Sequence, residues 1–194
     1  MSFIKLEGLT KKFGGLTAVN EVDFEIEKGK ITAIIGPNGA GKSTFFNLIS
    51  GFHRPTSGTI TFEGKDITKT PPHIVARLGI ARTFQTTHLF DQSSVIDNVI
   101  VGHRLRTQSK LFDAILRTKR EKREEKEAFE KAIEVLDFVG LANLANSPVS
   151  TISQESKKRV AIALALATDP KVVFLDEPAA GINRDETDGG EFGR

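Results

Sequence analysis

The stretch Gly36-Pro37-Asn38-Gly39-Ala40-Gly41-Lys42-Ser43-Thr44 constrains this chain more than any other. It fits the pattern G-x-x-x-x-G-K-[ST], a turn between a strand and a helix whose unpaired backbone N–H groups face a polyphosphate. Glycines let that backbone curl closely, and the helix N-terminus adds a partial positive charge. The flanks agree with the pattern. Ile31-Thr32-Ala33-Ile34-Ile35 is a short apolar, β-branched run that reads as a buried strand. Phe45-Phe46-Asn47-Leu48-Ile49 opens a helix. In that setting Lys42 reaches the β- and γ-phosphates and the Ser43 hydroxyl holds Mg²⁺, while Gly36, Pro37, Asn38, Gly39, Ala40, Gly41 and Thr44 complete the cradle. A chance glycine-rich turn would not bring a strand before it and a helix after it.

Composition sets the outer limits. A length of 194 residues suits one well-packed domain, with room for an inserted subdomain. Hydrophobic content of 39% and charged content of 27% are those of a soluble globular protein. The longest apolar run, Val160 to Ala167, falls far short of the ~18–20 residues that span a bilayer. The N-terminus carries no basic region followed by an apolar core, so no secretory leader is expected. The lack of cysteine excludes disulfides and thiolate zinc sites and agrees with a cytoplasmic home. A net charge of +2 is too small to argue for a nucleic-acid partner.

Along the chain, Val22, Phe24 and Ile26 alternate with Asp23, Glu25 and Glu27, which predicts a half-buried, antiparallel strand. Gly58 to Gly64 predicts a second short strand bracketed by turn-forming glycines. Val172 to Leu175, like Ile31 to Ile35, reads as fully buried and parallel. From about Ser94 to Val139 the pattern is helical, with Phe129, Ile133, Leu136 and Val139 forming one apolar stripe. The mixed run Arg117 to Lys126 predicts a solvated helix face, and its interleaved acids speak further against nucleic acid. Ser153 is placed to cap the helix carrying Val160 to Ala167, and Thr168-Asp169-Pro170 to end it.

The Val172 strand delivers Asp176 and Glu177 at its carboxyl end, the edge where open α/β sheets bind ligands. With a phosphate loop elsewhere in the chain, this is the second half of a Mg-nucleotide site. Asp176 holds Mg²⁺ through its water shell, and Glu177 polarises the attacking water.

With these residues the chain resembles the ATP-binding subunit of ABC transporters over almost its whole length. Gly36 to Thr44 is similar to that family's Walker A loop, and Val172 to Asp176 to its Walker B strand. The resemblance implies ATP and Mg²⁺ as ligands. It also implies that Phe13 stacks on adenine, that Val19 packs beside the ribose, and that Gln85 touches Mg²⁺ and couples the site to a membrane partner. The fold implied is α/β: a P-loop NTPase (RecA-like) parallel-sheet core with an N-terminal antiparallel β layer and an inserted helical subdomain. A single ATPase domain over 1–194 would then have its core in 1–90 and 151–194 and its helical subdomain in 91–150. Gly79-Ile80-Ala81-Arg82-Thr83-Phe84-Gln85, Leu89-Phe90, Val95-Ile96-Asp97-Asn98-Val99, Asp137-Phe138-Val139-Gly140-Leu141 and Ala179-Ala180-Gly181-Ile182-Asn183 are similar to the subfamily serving branched-chain amino acid uptake.

Two departures stand out. The family's signature loop, Leu-Ser-Gly-Gly-Gln, is here Ile152-Ser153-Gln154-Glu155-Ser156. Ser153 keeps the hydroxyl that contacts ATP of a second subunit, but Glu155 puts a carboxylate beside that phosphate. At ~4 Å and an effective dielectric of ~20, one like-charge pair costs about 4 kcal/mol. The family also continues with a switch histidine and further strands, whereas His53, His73, His88 and His103 all precede Glu177. A C-terminally incomplete core is therefore expected. The function implied is the ATP-hydrolysing subunit of an amino acid importer, paired with a second ATP-binding subunit and transmembrane permease subunits, peripheral on the inner face of the plasma membrane. The alternative is a degenerate relic that binds Mg-ATP with little hydrolysis.

Overall fold

Residues 2–83, 89–103 and 118–176 are described by a computed structural model. They fall into two units, Met1–Ile80 and Ala81–Arg194. The first is built on a four-stranded antiparallel sheet of order β2-β1-β3-β4, from β1 (Ile4–Phe13), β2 (Leu16–Ile26), β3 (Ser57–Phe62) and β4 (Lys65–Asp66). Alternation sets its faces, as the sequence predicts. Val19 and Ile26 on β2 are buried and Val22 and Phe24 half-buried, while Glu21, Asp23 and Glu25 are exposed. On β1 and β3, Ile4, Leu6, Leu9, Ile60 and Phe62 are buried.

The β1 ladder is irregular, and side chains replace the missing backbone bonds. Gly8 N–H donates to the Asp23 carboxylate at 2.6 Å, and Glu21 N–H donates to the Thr10 hydroxyl at 2.9 Å. Helix α1 (Lys42–Ile49) contributes Phe45, Leu48 and Ile49 to the core, with the Phe45 ring edge-on to Phe24 at 5.8 Å. Helix α2 (Pro72–Leu78) starts with proline at N1, where no N–H is needed, and ends at Gly79 with φ 108°.

The second unit holds helices α3 (Val95–His103), α4 (Lys119–Phe138) and α5 (Gln154–Ala167), with β5 (Ile80–Arg82) paired to β6 (Val172–Phe174). Local capping starts each helix. Ser94 Oγ accepts from Asp97 N–H at 3.1 Å, Thr118 from Glu121 N–H at 3.3 Å and Ser153 from Ser156 N–H at 3.1 Å. Val95, Val99, Ala132, Val135, Leu136, Leu141, Val149, Val160, Ala163 and Ala167 form one core cluster. Buried Asn98 ties the preceding loop to α3: its Oδ1 accepts from Phe90 N–H, and its amide donates to the Phe90 and Ser94 carbonyls. Among the described residues no helix is long and apolar enough to cross a membrane.

Three sequence expectations are corrected here. The apolar run Ile31 to Ile35 is not a buried strand: Ile31 and Ile35 are exposed, and the described residues give the run no ladder partner. β-branched content favours extended backbone, but only pairing and burial make a strand. The Val172 strand is also less buried than predicted, with Val172 and Val173 intermediate and Leu175 exposed. On α4 the buried line is Ala128, Ala132, Val135 and Leu136, whereas Phe129 and Ile133 are exposed. Small residues let helices approach closely, so alanines, and not the larger side chains beside them, mark the packed face. The mixed-charge run is solvated as predicted and carries the pairs Arg120–Glu124, Arg123–Glu127 and Lys126–Glu130.

One close approach decides the geometry of this unit. A Cβ on Gly102 of α3 would lie 2.3 Å from the Leu164 carbonyl oxygen of α5. Helix propensity alone favours Gly102→Ala by up to ~1 kcal/mol, but overpacking costs about 1–3 kcal/mol or more. Gly102→Ala is therefore predicted to destabilise the chain, lowering the urea midpoint at unchanged slope.

Candidate functional site

In the first unit the phosphate-loop segment is shaped by backbone constraints before any side chain acts. Ala40 N–H closes a turn on the Pro37 carbonyl at 3.2 Å. Gly39 (φ 83°) and Gly41 (φ 86°) adopt the left-handed conformation that side chains disfavour. The two differ in surroundings. Gly39 faces open space, whereas a Cβ on Gly41 would lie 2.2 Å from the Ala18 carbonyl oxygen and 3.7 Å from Val19 Cγ2. The loop is thus laid directly on β2, and Val19 is the buried side chain behind it.

Gly41 is the N-cap of α1 and has no side chain with which to cap it, and the first turn contains no acidic residue. The first-turn N–H groups therefore lack a local acceptor, and the positive end of the helix dipole is uncompensated. Lys42 Nζ folds back to donate to the Gly36 carbonyl at 2.7 Å and the Pro37 carbonyl at 2.8 Å. A cation held over a row of uncapped N–H groups is suited to a polyphosphate. Ser43 and Thr44 follow in the same helical turn. Phe13 closes β1 with an exposed ring, so it is no core residue. His53 meets that ring edge-on at 5.4 Å, and Lys11 Nζ lies 4.8 Å from its centroid.

In the second unit, Asp176 follows β6 and its carboxylate is buried in an ion pair. Arg82 Nη2 donates to Asp176 Oδ2 at 2.8 Å, with the two side chains 7% and 8% exposed. Thr83 N–H donates to the Phe174 carbonyl at 3.0 Å, which fixes the ends of β5 and β6 against each other. Sequence reasoning gave Arg82 no role at the site. The signal was available, because a carboxylate ending an apolar strand needs a counter-charge if it is buried. Arg82 ends the apolar run Ile80-Ala81.

Ser153 caps α5 as predicted, and its hydroxyl also donates to Ser156 Oγ at 3.0 Å. The Glu155 carboxylate turns back along the helix to pair with Arg159 one turn on. The carboxylate expected to stand bare in the signature loop is thus partly neutralised within its own helix. Gln85 and Glu177 lie outside the described residues.

The residues present fit a magnesium nucleotide. In the first unit the glycine cradle admits no Cβ at Gly41 and the Ser43 hydroxyl follows it; in the second, taken by itself, the Asp176 carboxylate ends β6; each is an oxygen donor of the kind a hard divalent cation prefers. Among the described residues no three acidic, histidine or cysteine side chains form a metal cage.

Comparison with known proteins agrees with this chemistry. Residues 19–180 match the ABC transporter family. The chain is 40% identical over 184 residues to the high-affinity branched-chain amino acid transport ATP-binding protein LivG of Salmonella typhimurium, covering 95% of this chain and 72% of LivG. It is 40% identical over 185 residues to BraF of Pseudomonas aeruginosa, with the same coverage. Among solved structures, MJ1267, an ATP-binding cassette of an ABC transporter, superposes with a TM-score of 0.80 at 36% identity, covering 94% of this chain and 72% of that one.

Gly39→Ala and Gly41→Ala separate conformation from contact. Both place a side chain in left-handed backbone, at roughly 1–2 kcal/mol. Only Gly41→Ala also meets the Ala18 carbonyl, adding about 1–3 kcal/mol. Chemical denaturation should show Gly41→Ala as the clearly less stable variant.

Proposed function

The chain belongs to the ABC transporter ATP-binding family, with the P-loop NTPase fold of that family, and from this we propose that it binds Mg-ATP and serves as the ATP-hydrolysing subunit of an importer for branched-chain or related amino acids. The observation that carries the proposal is the uncapped start of α1 behind a glycine cradle, with the Lys42 ammonium held over it.

The roles follow from charge. Backbone N–H groups of the loop and the Lys42 ammonium take the phosphate oxygens, and Phe13 offers an exposed ring face to adenine. Val19 backs the loop below the ribose. Mg²⁺, when bound, would supply positive charge against the β- and γ-phosphates. Ser43, Asp176 and Gln85 would hold that ion and its waters, and Glu177 would take the proton of the attacking water. Ser153, at a helix N-terminus, reaches ATP held by a second ATP-binding subunit. Closure of the two subunits on ATP drives the permease subunits, with this chain peripheral to the membrane. The amino acid substrate rests on kinship with LivG and BraF.

A second reading is a chain that binds Mg-ATP with little turnover, favoured by Gln154 and Glu155 in the signature loop. The Glu155–Arg159 pair weakens it, because the carboxylate no longer faces outward uncompensated.

Lys42→Ala tests the binding step. The side chain donates to two backbone carbonyls of a solvated loop, so the fold should survive its loss. Charge-assisted contacts are worth about 1.5–3 kcal/mol, which corresponds to a loss of roughly 10- to 100-fold in ATP affinity. Calorimetry returning unchanged affinity with an intact fold would remove the phosphate-loop assignment.

A further inference from the structure

We propose that Arg82 is a positioning residue for the metal chemistry assigned to Asp176, holding one carboxylate oxygen so that the other stays available to a hydrated divalent cation. Asp176 enters as the metal's partner only through the Mg-ATP reading above, so its own variant is measured alongside.

The ion pair has the geometry of an anchor. The contact is monodentate, Arg82 Nη2 to Asp176 Oδ2 at 2.8 Å, and Oδ1 accepts no hydrogen bond from any described residue. A guanidinium that competed with the cation would be expected to cover both oxygens in the parallel fork that Arg and carboxylate readily form. Both side chains are more than nine-tenths buried, so the pair is largely shielded from solvent screening. The anchor itself stands on fixed backbone, because Arg82 ends β5 and the next residue, Thr83, bonds β6 at the Phe174 carbonyl. Aspartate has only two side-chain torsions, and a short charge-assisted bond to Oδ2 is enough to set both. Outer partners that orient metal-binding groups in this way typically account for roughly 10- to 100-fold in metal affinity.

The test is a Mn²⁺ titration, followed by electron paramagnetic resonance, of the 194-residue chain in the presence of ATP. Metal-free ATP affinity is measured in parallel with a chelator present. Arg82→Gln should weaken Mn²⁺ binding to the ATP complex by roughly 10- to 100-fold and leave metal-free ATP affinity within about twofold, a split that a merely structural role would not produce. Arg82→Lys keeps the charge without the planar donor and should fall between Arg82→Gln and the native chain. Asp176→Asn should show a loss at least as large. Native Mn²⁺ affinity in Arg82→Gln, or tighter binding, with Asp176→Asn impaired, overturns the role of Arg82. Native affinity in Asp176→Asn as well overturns the metal assignment itself. If circular dichroism shows Arg82→Gln unfolded, Arg82→Lys decides: severalfold weaker Mn²⁺ binding supports the anchor, and unchanged binding refutes it.

Discussion

The contact between Gly41 and the Ala18 carbonyl is the constraint from which the rest of the candidate site follows. With no Cβ in the way, the loop can lie against β2 and enter α1 in left-handed backbone. A residue in that conformation without a side chain leaves the helix uncapped, which would ordinarily be a small liability in stability. Here it leaves N–H groups and the positive end of the dipole directed at one place, and Lys42 adds a full charge there. A serine or aspartate cap would satisfy the helix better and occupy the N–H groups that the proposed phosphate site requires. The sequence has chosen the weaker helix start.

The second unit shows a related trade in its ion pair. Burying Arg82 and Asp176 together costs desolvation that a pair of apolar side chains would avoid, and such pairs are weak evidence for stability. What the pair does provide is a carboxylate of defined orientation at the end of β6. The helices nearby follow ordinary packing logic. Alanines on α4 and α5 and the bare Gly102 on α3 bring the backbones together, while ion pairs along α4 keep its far side in water.

Much of this was legible in the residues. The helix start after Gly41, the alternating β2, the Ser153 cap and the solvated charge run each rest on local rules, and each is seen in the fold. What failed depended on partners distant in sequence. Ile31 to Ile35 has strand composition, but a strand needs a ladder, and composition does not name the neighbour. On α4 Leu136 and Val139 meet the core as expected, but Phe129 and Ile133 do not, because bulk does not show where alanines let the helices approach. Arg82 carries no such local signal in the sequence, since a buried counter-charge ninety-odd residues from its carboxylate leaves no periodic trace. The turn of Glu155 toward Arg159, in contrast, was readable as an i,i+4 pair and was overlooked.

The central claim is that the uncapped start of α1 and its glycine loop receive the phosphates of ATP. Hydrogen exchange of the backbone amides at positions 36–45, with and without millimolar Mg-ATP, tests it most directly. Phosphate oxygens accepting from Gly39 to Thr44 should slow exchange there by at least about tenfold, and Lys42→Ala should diminish that protection. Unchanged exchange across 36–45 in a folded chain, with protection appearing elsewhere or nowhere, would contradict the account.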